Sequence, residues 1–255
     1  MKFLLQIVDG KIQDVEVFNI KLLLDRFGSK YEFGDKYDLI ELNDIDNLSD
    51  FESASIPIGT LQFVGKFLKK FYNIDNLNPI EVPECLRKEK YLKRRYKIIP
   101  KDKLPESGRY FIKYVSKLKE YTFIGDIKDL SDTPSKFHPY KKEGLYQISD
   151  IVNILSEYRV FVYQDEIQAI QYYDGNCLIF PDSKLINEMV NMYSLDKDRP
   201  RAYTMDIAVI NGYETCILEL HPLVSVGTYG YDKKELLSMY RLGIDYYINI
   251  NKEIK

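Results

Sequence analysis

The apolar residues of the chain fall into short runs whose period changes along its length. Near the start, "KFLLQIV" is a continuous apolar run and reads as a buried strand. "FNIKLLLDRFGSK" has helical spacing and stops near Gly28, and "YDLIEL" is a second strand. In "IPIGTLQFVGKFLKKFY" a Gly-Thr pair leads into a helix that Thr60 can cap. Phe63, Phe67 and Phe71 recur every fourth residue, on one face of that helix. This order of strands and helices predicts a small α/β lobe reaching about residue 85.

Strands dominate from "RYFIKYV" onward. "LYQISDIVNI" reads as an apolar strand, and "EYRVFVYQDEIQAIQYYDG" as a hairpin around a Gln-Asp-Glu turn. "SKLINEMVNMY" has helical spacing. "RAYTMDIAVI" and "YETCILELHP" flank Asn211-Gly212, a two-residue turn signal that predicts a second hairpin. The tail "KKELLSMYRLGIDYYININ" is an amphipathic helix that packs back on a sheet. "RKEKYLKRRYKIIPKDKLPESG" is dense in Lys and Arg. It is either a solvated connector or a place from which Arg94 or Arg95 reaches an anionic ligand. The expected division is 1–104 for the first lobe and its basic connector, and 105–255 for the rest.

The composition excludes several classes of function. With 45% hydrophobic residues in 255, the chain can bury a proper core. A net charge of -3 recruits neither nucleic acid nor an anionic membrane. No apolar run reaches the ~20 residues that span a bilayer, and "MKFLLQIVDGKIQ" has too short an apolar core for a signal peptide. Cys85, Cys177 and Cys216 are far apart and odd in number, so reduced core thiols in a cytoplasmic protein are expected.

The chemistry gathers on the second hairpin. A two-residue turn pairs Ile210 with Tyr213 and sets Asp206 opposite Ile217, so Asp206, Glu219 and His221 share a face. Met205, Ile207, Val209, Cys216, Leu218 and Leu220 make up the other, apolar face. Asp206 and Glu219 are then diagonal neighbours about 7–8 Å apart. Such a pair is either a solvated acidic face or a divalent-metal site, for which Mg²⁺ suits the oxygen ligands. Lys113 inside the apolar strand "RYFIKYV", Lys119 in "KLKEYTF" and Arg159 in "YRVFVY" add cations suited to phosphate, which favours the metal-and-phosphate reading.

Three segments, in order, resemble the ATP-grasp superfamily. "RYFIKYVSKLKEYTF" is similar to the strand with the first nucleotide lysine, Lys113, and the following element with a second, Lys119. "ISDIVNILSEYRVFVYQDEIQAIQYYDG" resembles the segment whose backbone meets adenine, here Ser149, Asp150, Ile151 and Val152, continuing into the acid-x-Arg hairpin of Glu157 and Arg159. "MDIAVINGYETCILELHPLVSVGTYG" resembles the metal-binding hairpin, with Asp206 and Glu219 at ligand positions and His221 where the family carries Asn. "IPIGTLQFVGKFLKKF" points to a compact bacterial and phage group within the superfamily.

The resemblance implies an α+β ATP-grasp fold, in which two α+β subdomains after the α/β lobe clasp a nucleotide. It also implies an ATP-dependent carboxylate–amine ligase working through an acyl phosphate on an amino acid or peptide. ATP would be bound by Lys113, Lys119, residues 149–152 and Glu157. Mg²⁺, or Mn²⁺ given the imidazole, would be held by Asp206, Glu219 and His221, and Arg159 would serve catalysis. Ser225 and the glycines of "VSVGTYG" would shape the acceptor pocket. The lysine strand departs from the family's Lys-Pro ending, since Tyr114 follows Lys113, and no glycine-rich loop lies between Lys119 and Pro134. Two other readings stay open: an ATP-binding sensor or scaffold without catalysis, and a metal-dependent nuclease built on Asp206 and Glu219-Leu220-His221. Whether the chain self-associates is not legible.

Overall fold

The computed structural model describes residues 1–27, 36–75, 77–116, 122–130 and 143–252. The first lobe is a three-stranded parallel sheet in the order β2-β1-β3, built from β1 (Lys2–Ile7), β2 (Lys36–Glu41) and β3 (Ile56–Ile58). α1 (Val15–Phe27) and α2 (Leu61–Tyr72) pack against it. Thr60 caps α2 as expected, its side chain accepting a hydrogen bond from the Phe63 N–H at 3.3 Å. Phe63 and Phe67 are fully buried. The predicted end of α1 near Gly28 lies outside the described residues.

Two four-stranded antiparallel sheets follow. One runs β4-β7-β5-β6, from β4 (Tyr96–Pro100), β5 (Arg109–Tyr114), β6 (Thr122–Asp126) and β7 (Leu145–Ser149). The other runs β11-β10-β8-β9, from β8 (Ile154–Tyr163), β9 (Glu166–Gly175), β10 (Ala202–Ile210) and β11 (Glu214–Pro222). The basic stretch is therefore no mere connector. It supplies the short α3 (Glu89–Leu92) and then β4, which pairs with β7. The run "LYQISDIVNI" splits into β7 and the start of β8, with 150–153 passing from one sheet to the other.

One core spans the lobes. Phe3, Leu4 and Leu5 of β1 and Phe63 and Phe67 of α2 pack with Leu236, Tyr240 and Tyr247 of the last helix, α5 (Glu235–Lys252). Gly243 lets α5 approach the end of β11: a Cβ there would meet the Leu223 carbonyl oxygen at 2.6 Å. A second core lies between α4 (Ser183–Tyr193) and the far face of the β8–β10–β11 sheet. No helix among the described residues is long and apolar enough to cross a membrane. Cys216 is buried, but Cys177 is exposed and so is not a core thiol.

Candidate active site

Strand alternation on β8 turns Glu157, Arg159 and Phe161 to one face and Val160 and Val162 to the α4 core. Arg159 is directly opposite Asp206 on β10, and Asp206 is directly opposite Glu219 on β11. Three charged residues thus form one row across three strands.

The expected diagonal placement of the two carboxylates is replaced by direct pairing. Ile210 pairs with Glu214, not Tyr213, because the loop holds three residues and Tyr213 takes a left-handed φ of 59°. That slip alone would turn Glu219 away from Asp206, since one residue of register exchanges the faces. A bulge at Leu218, between the Ile207–Ile217 and Asp206–Glu219 pairs, reverses it. Between loop and bulge the faces are exchanged relative to expectation. Ile217 joins the α4 core, whereas Cys216 packs with Ala208 and Ile210, with Leu218 against them.

Arg94 braces the bulge. Its guanidinium donates to the carbonyls of Ile217 at 2.7 Å, Leu218 at 3.2 Å and Leu92 at 2.9 Å. Burial pulls its pKa below the ordinary arginine value. Arg95, by contrast, reaches outward to a multidentate pair with Asp150 at 2.7–3.0 Å.

Asp206 and Arg159 form a buried two-armed ion pair, Nε to Oδ1 at 2.8 Å and Nη2 to Oδ2 at 2.7 Å. Burial works against the charged guanidinium, but the Asp206 carboxylate outweighs it and holds the Arg159 pKa above its ordinary value. Arg159 also donates to the Gly227 carbonyl at 3.1 Å and lies over the Tyr229 ring, 4.9 Å from its centroid. Tyr229 stacks on Tyr173 with centroids 4.7 Å apart.

Across the gap, β5 turns Phe111 and Lys113 toward this row while Ile112 and Tyr114 enter their own sheet's core. The Lys113 ammonium pairs with Glu219 Oε2. The imidazole Nε2 of His221 lies 2.7 Å from Glu219 Oε1 and 3.7 Å from Asp206 Oδ2. Burial pushes the Glu219 carboxyl up, but the hydrogen bond and charge of His221, then Lys113, hold it well below the ordinary range.

A cleft of about 320 Å³ opens beside the row, between the two antiparallel sheets. Ser149, Asp150, Ile151, Val152 and Glu157 all line it, as do Phe111, Gln147, Arg94 and Glu219. Tyr173 donates to Glu157 Oε2 at 2.6 Å, yet burial, the largest influence, keeps the Glu157 pKa raised. Lys119 lies outside the described residues, as do 117–121 and 131–142 around β6. Sequence reasoning missed Tyr173, Tyr229, Gln147 and the bracing role of Arg94. Gln147, a lone amide inside "LYQIS", was a legible signal for a polar cleft.

Asp206, Glu219 and His221 place ligand atoms within 4.8 Å of one another. Two carboxylates beside the cleft fit a hard divalent cation. His221 fits less simply: Nδ1 is buried with no hydrogen-bond partner among the described residues. A metal-bound imidazole ordinarily donates that second N–H to an acceptor.

The family model for the ATP-grasp domain, R2K clade family 2, matches residues 91–239, more than half of the chain. The chain belongs to this ATP-grasp family. D-alanine–D-alanine ligase from Bacillus anthracis, solved with ATP, has a similar fold, with a TM-score of 0.56 over 100% of this chain and 99% of that one, at 13% identity. D-cycloserine synthetase DcsG gives 0.57 over 97% and 100%, at 8% identity. N5-carboxyaminoimidazole ribonucleotide synthetase gives 0.53 over 90% and 71%, at 11% identity. At these identities the likeness is one of fold, and it agrees with the α+β ATP-grasp architecture expected from the motifs. No curated protein sequence matches the chain significantly.

Proposed function

We propose that this ATP-grasp protein is an ATP-dependent carboxylate–amine ligase that forms an amide bond on an amino acid or peptide. The observation that carries the reading is the meeting of Lys113, Arg159 and Asp206 with Glu219, which lines the cleft. Phosphoryl transfer depends on positioning and charge neutralisation more than on a dedicated nucleophile, and this is the set it needs.

Residues 149–152 meet the adenine with backbone groups, and Glu157 accepts from the ribose side of the cleft. Lys113 leaves Glu219 for the α- and β-phosphates of ATP. Lys119 keeps its place as a second phosphate or adenine contact on the resemblance. The substrate's carboxylate oxygen attacks the γ-phosphorus, the bond to the bridging oxygen breaks, and ADP departs. The amine's lone pair then attacks the acyl carbon, phosphate leaves with the C–O electrons, and the amine gives up one proton. Arg159 lies where it stabilises charge on the transferring phosphoryl group. Asp206 and Glu219 are the residues to hold Mg²⁺, or Mn²⁺, with His221 beside them. The ion, when bound, offsets the negative charge of the phosphates.

Calorimetry with ATP and Mg²⁺ tests the nucleotide site: Lys113→Ala should abolish binding, and wild-type affinity in that variant would overturn the assignment. ADP release dependent on an added amine and carboxylate tests the ligase. His221, standing where the family carries Asn, favours a second reading in which the chain binds ATP as a sensor or scaffold. Nucleotide binding with no acceptor-dependent ADP release would select it.

A further inference from the structure

The polar face of the second hairpin continues one step beyond the charged row. Thr204 on β10 stands directly opposite His221 on β11. Met205 and Leu220 next to them enter the α4 core, so Thr204 and His221 share the face of Asp206 and Glu219. Directly opposed side chains have Cβ atoms about 4.5–5.5 Å apart. Thr204 is 0% exposed and His221 5%. Each keeps one polar atom without a hydrogen-bond partner among the described residues: Oγ1 of Thr204 and Nδ1 of His221. Phe161 flanks Thr204 on the β8 side, and the Asp206 carboxylate, two residues along β10, has both oxygens on Arg159. The two unsatisfied atoms thus belong to neighbouring side chains, and buried polar atoms normally find partners. A turn of the Thr204 side chain or one bridging water joins them.

A hydroxyl at this place matters because of what the other ring nitrogen does. Nε2 of His221 lies 2.7 Å from Glu219 Oε1. A carboxylate only accepts, so in the neutral ring this bond puts the proton on Nε2 and leaves Nδ1 a lone pair, to which a threonine hydroxyl donates. To ligate a metal ion, Nε2 must offer its own lone pair, and the proton must sit on Nδ1 instead. Nδ1 then needs an acceptor, and the same hydroxyl, turned about its C–O bond, is one. Nε2 loses one proton and Nδ1 gains one, so the ring stays neutral. A carbonyl or carboxylate opposite His221 would serve only the second state; a hydroxyl serves both.

We propose that Thr204 is a positioning residue for the metal site: its hydroxyl partners Nδ1 of His221 in both tautomers and so lets Nε2 pass from Glu219 to a divalent cation. The proposal rests on the reading of Asp206, Glu219 and His221 as metal ligands. It supplies the acceptor that the second imidazole nitrogen otherwise lacks.

The test titrates Mn²⁺ into the full chain with ADP present and reads the bound ion by electron paramagnetic resonance. Thr204→Val keeps the shape and loses the hydroxyl; it should weaken Mn²⁺ binding about tenfold, and Thr204→Ser should restore it. In a His221→Ala background Thr204→Val should change nothing, whereas a loss through packing would appear in both backgrounds. Thermal melting reports whether each variant is folded. The chain has two histidines, so His138→Gln leaves a single ring for nitrogen-15 resonance, which needs no substitution at Thr204. At about pH 8 that ring should carry its proton on Nε2 without metal. With diamagnetic Zn²⁺ and ADP the proton should be on Nδ1, in Overhauser contact with Thr204. Wild-type Mn²⁺ affinity in Thr204→Val, an equal loss in both backgrounds, or an Nδ1 proton remote from Thr204 overturns the proposal. Wild type that binds no Mn²⁺ overturns it together with the metal assignment. Acceptor-dependent ADP release, with Mn²⁺ affinity untouched in Thr204→Val, keeps the ligase and removes the role of Thr204. The tenfold loss without any ADP release does the reverse.

Discussion

Asp206 stands directly opposite Glu219 because Leu218 is an extra residue in β11 that undoes the slip introduced by the three-residue loop at 211–213. Arg94 holds that extra residue in place through the carbonyls of the two peptides that flank Leu218. Arg94→Ala removes three charge-assisted hydrogen bonds from buried carbonyls, at a cost of about 3 kcal/mol. Urea unfolding should show that loss, and calorimetry should show weakened nucleotide affinity in the same variant. Arg94→Lys, with a single point of donation, should recover only part of either. Unchanged unfolding in Arg94→Ala would mean the bulge holds itself.

The buried Arg159–Asp206 pair predicts an asymmetric mutational pattern. Asp206→Ala leaves a guanidinium without its partner in a site where Arg159 is only 6% exposed. Removing one member of such a pair costs about 3–5 kcal/mol, whereas replacing both with apolar groups is often close to neutral. The double variant Arg159→Met with Asp206→Leu should therefore unfold at higher urea than Asp206→Ala alone, yet turn over no ATP. A double variant less stable than the single one would refute the argument.

His221 gives the metal prediction. An imidazole nitrogen beside two carboxylates suits Mn²⁺ better than Mg²⁺, because hard cations prefer oxygen. His221→Asn should raise the affinity for nucleotide with Mg²⁺ relative to Mn²⁺ by about tenfold, the scale on which groups around a metal act. Titrations of the two ions at fixed ATP would measure it. An unchanged ratio would leave His221 as a hydrogen-bonding support for Glu219 alone.

A pH prediction comes from the β8–β9 turn, away from the cleft. Asp165 accepts from Arg199 Nε at 2.7 Å, and that hydrogen bond holds its pKa below the usual 3.8. A depressed folded-state pKa means stabilisation that is present above about pH 4 and lost as pH falls through the lower folded value. The pair is partly exposed, so solvent screening limits it to about 0.5–1 kcal/mol. Asp165→Asn keeps a residue type that tolerates the left-handed φ of 68° at this position. It should be less stable than wild type at pH 7 and indistinguishable from it near pH 2. A gap that persists at low pH would show that the charge is not its source.

Element types were legible because periodicity alone carries them: Phe63 and Phe67 mark the buried stripe of α2, and Val160 and Val162 the inner face of β8. The row of site residues was legible through the resemblance and through the polar breaks in apolar strands, Lys113 and Glu219 foremost. Register was not. An Asn-Gly pair signals a two-residue turn, and nothing local announces that Tyr213 adopts a left-handed backbone or that Leu218 will bulge. The bulge is braced by Arg94, which is 123 residues from Ile217 in sequence. The basic stretch was misread for a similar reason. Its charge density suggested solvent, while Tyr96–Pro100 gains its place from pairing with β7.

The packing of α5 into the first lobe has a consequence for the order of synthesis. Leu236, Tyr240 and Tyr247 complete the core begun by Phe3, Leu4 and Leu5, so β1 must wait for α5, which is made long after it. Throughout translation the nascent β1–α1 unit shows uncovered apolar surface, the condition under which chaperones engage a growing chain. A fragment ending before Glu235 should therefore aggregate rather than form a soluble lobe.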